Sequence, residues 1–259
     1  EVFQNGKIGV FIKDAYIEWK EVFKGSSLIF GIQPTTAYAL SEKIWEHRHI
    51  EKTIMDLRGI IDSRDFGLSL KGSFDKDEKY SYSVMAGNNS GVKVENDKYK
   101  RVNANLTFRP VNSFYISAFS DFRTAAGNDD YSKNEFTHSV FFAYKKSEIF
   151  TAGAESYYNI IKNYLGKGED KTGFGLSVFA VKPLDAKLSL FARYDYFDDN
   201  TKSYSKYDSR DLFIFGFDYK PNTHVYISPN FAIEYYERTG GETIKPSVTG
   251  RLTIFYEFF

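Results

Sequence analysis

The sequence contains no cysteine in its 259 residues, which excludes disulfide bonds and thiolate metal sites. It also lacks an excess of charge of either sign, because 34 Lys and Arg residues balance 34 Asp and Glu residues. This balance argues against a nucleic-acid partner. No stretch approaches the roughly 20 apolar residues that a membrane-spanning helix requires. That absence does not argue against a membrane, since barrel strands hide their apolar residues in alternate positions.

Aromatic residues, by contrast, make up 18% of the chain, with 20 Tyr and 25 Phe but only 2 Trp. Apolar and polar residues alternate through almost the whole sequence, as they do in residues 251–259. There Leu252 and Ile254 point to one side of a strand, and Arg251 and Thr253 point to the other. One apolar face and one polar face on every strand is typical of an all-β, transmembrane antiparallel β-barrel with a wet lumen. A soluble all-β protein with aromatic-rich strands is the alternative.

The alternation predicts about thirteen strands in one domain that covers residues 1–259. Their predicted bounds are 7–20, 27–33, 65–75, 80–88, 98–110, 114–123, 135–145, 149–161, 172–182, 187–197, 211–220, 224–238 and 246–259. Short turns alternate with longer polar loops at 88–97, 124–134, 164–171, 198–210 and 239–243. This asymmetry is typical of the periplasmic turns and extracellular loops of outer-membrane barrels.

Nearly every central charge falls in the phase opposite to the apolar residues, because Arg or Lys facing lipid at mid-depth costs roughly 2–4 kcal/mol. On one strand, for example, Val102 and Leu106 are predicted to face lipid. The charged residues predicted to line the pore are Lys71, Arg101, Arg109, Arg123, Glu155, Lys187, Arg193, Asp195, Glu234 and Arg251. Phe119, Phe141, Phe179 and Phe191 interrupt the polar face, and we expect them to pack against an infolded loop or a neighbouring wall.

Residues 34–64 do not follow the strand pattern. Leu40, Ile44 and Trp45 recur at helical spacing, as do the apolar residues between 50 and 57. Thr36 or Ser41 is predicted to cap the first helical turn, and Gly59 to end the second. Because its apolar residues need cover, we expect this segment to fold into the lumen as a constriction loop; a cap over the barrel rim is the alternative. The loop cations predicted to act at the constriction are Arg48, Lys52, Arg58 and Arg64.

The segments around this loop resemble the phosphate-selective porin (OprO/OprP-like) family of outer-membrane porins. The resemblance rests on residues 28–35 (LIFGIQPT), 40–45 (LSEKIW), 50–53 (IEKT) and 65–72 (DFGLSLKG), with Arg48 and Arg58 between them. It covers about residues 7–75. It implies a sixteen-stranded, often trimeric barrel whose third long loop narrows the pore. Charge balance departs from the family's pattern, since acidic residues accompany the lumenal and loop cations, and this puts phosphate specificity in doubt.

The strand count has a consequence for the N-terminus. Bacterial single-chain barrels have even strand numbers, whereas thirteen is odd. If residues 34–64 form the third external loop, three strands precede Glu1 in the complete barrel, which then reaches the sixteen that the resemblance implies. We therefore expect N-terminal strands to be missing from the chain. A smaller barrel of 12 or 14 strands is the alternative.

The function predicted from these features is passive diffusion of small hydrophilic solutes, including anions such as phosphate, across a bacterial outer membrane. The alternative is a barrel subunit or scaffold in a larger outer-membrane complex with no free pore. An outer-membrane enzyme ranks last, because no Ser–His–Asp set is suggested. We therefore predict no enzymatic activity.

Cofactor and metal sites are not predicted either. No phosphate-binding or dinucleotide-binding glycine motif occurs, and His47 and His49 lack the spacing of a helical zinc pair. The partners predicted are outer-membrane lipid and lipopolysaccharide, a small solute, and further copies of the chain in a homotrimer or a larger complex.

Overall fold

The computed structural model describes residues 12–127, 132–202, 209–237 and 244–258, apart from the side chain of Leu165. Thirteen strands account for most of them. The strands are β1 (Ala15–Phe23), β2 (Ser26–Pro34), β3 (Arg64–Ser73), β4 (Tyr80–Gly87), β5 (Arg101–Phe108), β6 (Phe114–Arg123), β7 (Glu135–Lys146), β8 (Phe150–Gly166), β9 (Glu169–Pro183), β10 (Leu188–Asp198), β11 (Ser209–Asn222), β12 (Val225–Tyr236) and β13 (Ser247–Tyr256). Two short helices, α1 (Ala39–Trp45) and α2 (Ile54–Leu57), lie between β2 and β3.

All thirteen strands form one antiparallel sheet in which each strand pairs with its neighbours in the sequence. The predicted all-β fold and the number of strands are confirmed. Within the described part of the chain, β1 and β13 are the two edges of the sheet and do not pair with each other. No helix among the described residues is long and apolar enough to span a membrane.

Alternate residues of the strands differ sharply in exposure, which separates the sheet into two faces. On β5, Val102 and Leu106 are 50% and 58% exposed, whereas Arg101 and Asn103 are each 2% exposed. The same alternation on β10 exposes Leu190 and buries its neighbour Phe191. The exposed face therefore carries the apolar side chains, and the opposite face carries the polar ones together with the inserted aromatic residues.

Several predicted strand bounds were wrong. The first strand begins at Ala15 rather than at residue 7, and residues 7–11 of that prediction lie outside the described residues. The predicted long loop at 164–171 is a tight hairpin, because β8 runs to Gly166 and β9 starts at Glu169. The carboxylate of Asp170 accepts hydrogen bonds from the backbone N–H of Asn163 and from the ammonium of Lys162, both on β8. These bonds join the two strands close to the hairpin turn.

The predicted caps of the loop helices have mixed outcomes. Neither Thr36 nor Ser41 caps α1: its N-cap is Tyr38, which makes no capping side-chain hydrogen bond. The hydroxyl of Ser41 instead donates to the Tyr38 carbonyl at 3.2 Å and to Glu155 on β8 at 3.3 Å. Gly59 follows α2 with φ +66°, in the left-handed region that ends helices, as predicted.

Candidate functional site

The segment between β2 and β3 lies against the polar face of the sheet and contacts strands from β5 to β13. One contact to each of eight strands illustrates this: Thr36 with Asn103, Glu46 with Lys145, Ser41 with Glu155, Trp45 with Phe179 and with Phe191, His47 with Asp218, Arg58 with Glu234, and Glu51 with Arg251. A segment of about thirty residues can reach so many strands only if the sheet curves around it. We call residues 34–64 the infolded loop.

Aromatic residues on the strands anchor the infolded loop. Trp45 is 1% exposed, and its ring centroid lies 5.0 Å from that of Phe179 and 6.2 Å from that of Phe191. Ile44, Ile50 and Phe141 belong to the same cluster. The indole N–H of Trp45 donates to the Glu51 carbonyl at 2.9 Å, so the polar edge of the ring is also satisfied.

A second apolar cluster holds the other half of the loop. Ile54 and Met55 of α2 are fully buried and pack with Phe119 of β6, Tyr157 of β8 and Phe197 of β10. The four aromatic residues that interrupt the polar face thus all belong to clusters that include apolar residues of the loop. Their place among lumenal positions follows from this packing, because apolar side chains of an infolded segment need apolar partners.

The four predicted loop cations are all engaged in ion pairs. Arg48 contacts Glu42 at 2.7 Å and Asp56 at 2.6 Å, and Lys52 contacts Asp56 at 3.3 Å. Burial lowers the pKa of Arg48, but its hydrogen bond to Asp56 and the charges of Glu42 and Asp56 raise it by more. The pKa of Arg48 therefore lies above its ordinary value. The other two pairs are Arg58 with Glu234 at 2.8 Å and Arg64 with Asp14 at 2.5 Å. Their charges therefore stabilise the loop, and none is left uncompensated.

Four of the predicted pore-lining residues bind the loop. Arg193 donates to the carbonyl of Lys52 at 2.5 Å, while its other nitrogens pair with Asp195 at 2.8 and 2.5 Å. The remaining three are Glu155, Glu234 and Arg251, which contact Ser41, Arg58 and Glu51, respectively.

The other predicted pore-lining residues occupy different places. Arg101 is paired with Asp121 at 3.1 Å, Arg123 with Glu135, and Lys71 with Glu18 at 3.2 Å. Arg109 lies beyond the end of β5, where it donates to the Asp77 carbonyl in the β3–β4 turn. Lys187 lies in the turn before β10.

Two cavities remain beside the infolded loop, and both reach the end of the sheet that carries the short turns. The larger, of about 1180 Å³, is bounded by the β7–β8 and β9–β10 turns, and Lys187 is among its lining residues. The smaller, of about 510 Å³, is walled mainly by Ser, Thr and Asn side chains of β2–β5, with Lys71. Lys43 of α1 lines both cavities and is exposed. It has no ion-pair partner among the described residues, unlike the four predicted loop cations.

Lys43 was not among the predicted loop cations, because the sequence does not show which cation of the loop lacks an ion-pair partner. Sequence reasoning also missed a cluster of His47 and His49 with Asp218 of β11, which are separated by about 170 residues in the sequence. The only sequence signal for either was the location of Lys43, His47 and His49 in the one segment that breaks the strand pattern.

Comparison with protein families matches residues 66–254 to the family described as "Putative beta-barrel porin-2, OmpL-like". The chain belongs to this family. The matched residues begin in β3 and end in β13, so they include most of the sheet that surrounds the infolded loop.

Solved outer-membrane porins share the fold. OmpT of Vibrio cholerae matches with a TM-score of 0.61 and 13% identity, over 83% of this chain and 68% of that one. The anion-selective porin from Comamonas acidovorans matches with a TM-score of 0.62 and 9% identity, over 90% and 70%. The channel DcaP of Acinetobacter baumannii gives 0.62 and 13%, over 88% and 69%. No curated protein matches the sequence significantly.

The porin is a β-barrel channel of the bacterial outer membrane for small solutes, as predicted. Its family and fold point to a channel rather than to an enzyme. The matched family is not the phosphate-selective one. The predicted resemblance is therefore supported only at the level of outer-membrane porins in general.

Proposed function

We propose that this porin is a diffusion channel with a preference for small hydrophilic anions, narrowed by the infolded loop, and that Lys43 carries the preference. The single observation behind the proposal is the position of Lys43, which is exposed on α1 and lines both cavities. An uncompensated ammonium beside a water-filled path attracts anions and repels cations over about a Debye length, which is roughly 8 Å at physiological ionic strength.

The ion pairing of the four predicted loop cations supports this assignment. A cation that contacts a carboxylate presents little net field to a passing ion, because the two charges largely cancel at a distance. Arg48, Lys52, Arg58 and Arg64 are all in this state. The zero formal net charge of the chain therefore does not exclude selectivity, since selectivity depends on which charges are left free at the narrow part.

The test is the reversal potential of the protein in a planar bilayer under a salt gradient. We expect the wild type to favour the anion, Lys43→Gln to lose most of the preference, and Lys43→Glu to reverse it. Lys167→Gln is the matched control: it removes the same charge from the β8–β9 hairpin, away from both cavities, and leaves the reversal potential unchanged. An unaltered reversal potential in both Lys43 variants would refute the assignment.

The cavities favour an open channel over the alternative of a scaffold with no free pore. A plugged barrel would fill the space beside the loop, whereas here volumes of about 1180 and 510 Å³ stay free of the protein's own atoms. Diffusion of a small solute into proteoliposomes distinguishes the two. Impermeable vesicles that contain correctly folded protein would support the scaffold.

We further propose a homotrimer, with lipopolysaccharide and lipid as the surrounding partners. A trimer form of OmpT of Vibrio cholerae shares the fold, with a TM-score of 0.62 and 12% identity over 96% of this chain and 80% of that one. The apolar outer face, which exposes residues such as Phe30, Leu106 and Phe231, offers surface for lipid and for contacts between copies. Cross-linking in detergent followed by mass measurement tests the assembly.

A further inference from the structure

Two histidines of the infolded loop converge on one carboxylate of the barrel wall. Nε2 of His47 lies 2.7 Å from Oδ2 of Asp218, and Nε2 of His49 lies 3.7 Å from Oδ1 of the same residue. All three side chains are buried, with exposures of 6%, 6% and 1%. Ser228 on β12 donates a further hydrogen bond to Oδ1 of Asp218 at 2.5 Å. We call His47, His49 and Asp218 the histidine clasp.

The positions of the two ring nitrogens of His47 favour a positively charged ring. Its Nδ1 lies 2.6 Å from the carbonyl oxygen of Trp45, which can only accept, so Nδ1 must carry a proton. Its Nε2 faces the Asp218 carboxylate, which in the ionised form also only accepts. A neutral imidazole has one proton for these two contacts. The arrangement is therefore most favourable when His47 is an imidazolium, whose positive charge then lies beside the buried Asp218 carboxylate.

Among the described residues, Asp218 is the carboxylate that lies within ion-pair distance of the two histidines. Phe191 of β10 packs on His47, with ring centroids 4.8 Å apart, and Tyr226 of β12 and Phe255 of β13 pack on His49 at 5.3 and 5.1 Å. The other charges that border the same cavity are Glu42, Lys43, Glu46, Arg48, Glu148, Asp185, Lys187, Lys220 and Glu257. Among them Glu42, Glu46 and Arg48 are paired elsewhere, and the ammonium of Lys220 lies over the Tyr226 ring at 4.2 Å.

Loss of the proton would weaken the attachment of the loop. A buried carboxylate that loses its cation is left uncompensated, and breaking a buried ion pair in this way is strongly destabilising. The loop segment between α1 and α2, which carries both histidines, would then gain by moving away from β11 and admitting water to Asp218. The apolar anchors at Trp45 and Met55 flank this segment and are not titratable, so the rest of the loop stays in place.

We propose that the histidine clasp is a proton-operated device that sets the position of the infolded loop, and therefore the width of the pore, across the pH range in which histidine changes charge. This inference rests on the proposed role of the loop as the constriction. At acidic pH the clasp is closed and the current through a single channel is small and steady. At alkaline pH the segment loosens, and the current becomes larger and noisier.

The experiment records single-channel currents of the full chain in planar bilayers from about pH 5 to about pH 10, because a nearby carboxylate favours the charged form of an imidazole and the scan must extend above the ordinary histidine range. We expect the wild type to show a reversible change in current level and variance. The double variant His47→Gln/His49→Gln loses the transition and stays at the alkaline level at every pH. Asp218→Asn loses it as well. The matched controls are His138→Gln and His224→Gln, which remove the two other histidines and keep the transition.

A second readout does not depend on conduction. Since the chain has no cysteine, Lys52→Cys places a single spin label beside the clasp, on a side chain that is 49% exposed. The label becomes more mobile at alkaline pH in the wild-type background and is mobile at every pH in the Asp218→Asn background. If the protein conducts no current, the proposed channel function is refuted, and the mobility of the spin label still tests the histidine clasp. If it conducts and neither current nor label changes with pH, or if the change survives in the double variant, the clasp is overturned.

Discussion

The guanidinium of Arg58 lies 2.8 Å from the carboxylate of Glu234, which follows it in the sequence by 176 residues. One residue belongs to the infolded loop and the other to β12, so a single ion pair joins the segment after the second strand to the twelfth strand. Both side chains are largely buried, at 8% and 20% exposure. Pairs of this kind make the loop part of the barrel interior rather than an appendage to its rim.

Removal of one partner of that pair should destabilise the protein. We expect Arg58→Ala to lower the free energy of unfolding in guanidinium by about 1.5–3 kcal/mol, because Glu234 loses its charged hydrogen-bond donor and keeps the Tyr236 hydroxyl and the more distant Arg210 at 4.0 Å. The double variant Arg58→Ala/Glu234→Ala should recover part of the loss. Lys79→Ala, which breaks the exposed 3.8 Å contact with Asp77, should cost at most about 1 kcal/mol. Equal losses for both single variants would contradict the buried pair.

Truncation of the main apolar anchor should loosen the loop. Trp45→Ala removes a side chain that is 1% exposed, and such a change costs about 3–5 kcal/mol in a packed core. We expect a lower thermal unfolding temperature and a larger, noisier single-channel current. Trp19→Ala is the control, because Trp19 is 69% exposed, and it should leave the current unaltered.

Deletion of residues 40–58, with a short glycine linker in their place, should widen the pore. The loop and its anchors occupy the space next to β6–β12, so the conductance in planar bilayers should rise above the wild-type value. Retained heat-modifiable migration on gels shows that the variant still folds as a barrel. A folded deletion variant with the wild-type conductance would show that the loop does not form the constriction.

Gly67→Ala should impair folding of the sheet. A Cβ atom at Gly67 would lie 2.3 Å from the Ala86 carbonyl oxygen and 2.8 Å from the Cα of Gly87, and both atoms belong to the backbone of β4. The two strands would have to separate, so we expect a lower refolding yield in detergent. Gly250→Ala is the control, because its nearest neighbour, at 3.3 Å, is the edge of the half-exposed Phe231 ring, which can turn aside.

The sequence determined the fold class, because the two-residue period of apolar positions is a local property. It can be recognised without knowing which strands pair with each other. Val102, Leu106 and Phe231 were placed on the outer face from this period alone. The period also marked residues 34–64 as the exception. Its predictions failed at strand ends, as in the β8–β9 hairpin, where turn-forming residues sit inside paired strands.

Only the tertiary structure decided which charges are free. Arg48, Arg58 and Lys43 look alike in the sequence, yet the first two are neutralised by partners and Lys43 is exposed and lines both cavities. The contact of His47 with Asp218 likewise depends on the loop folding back onto a strand that follows it by more than 150 residues. An electrostatic field depends on distances between side chains, and a strand period fixes the face of each residue but not its partner.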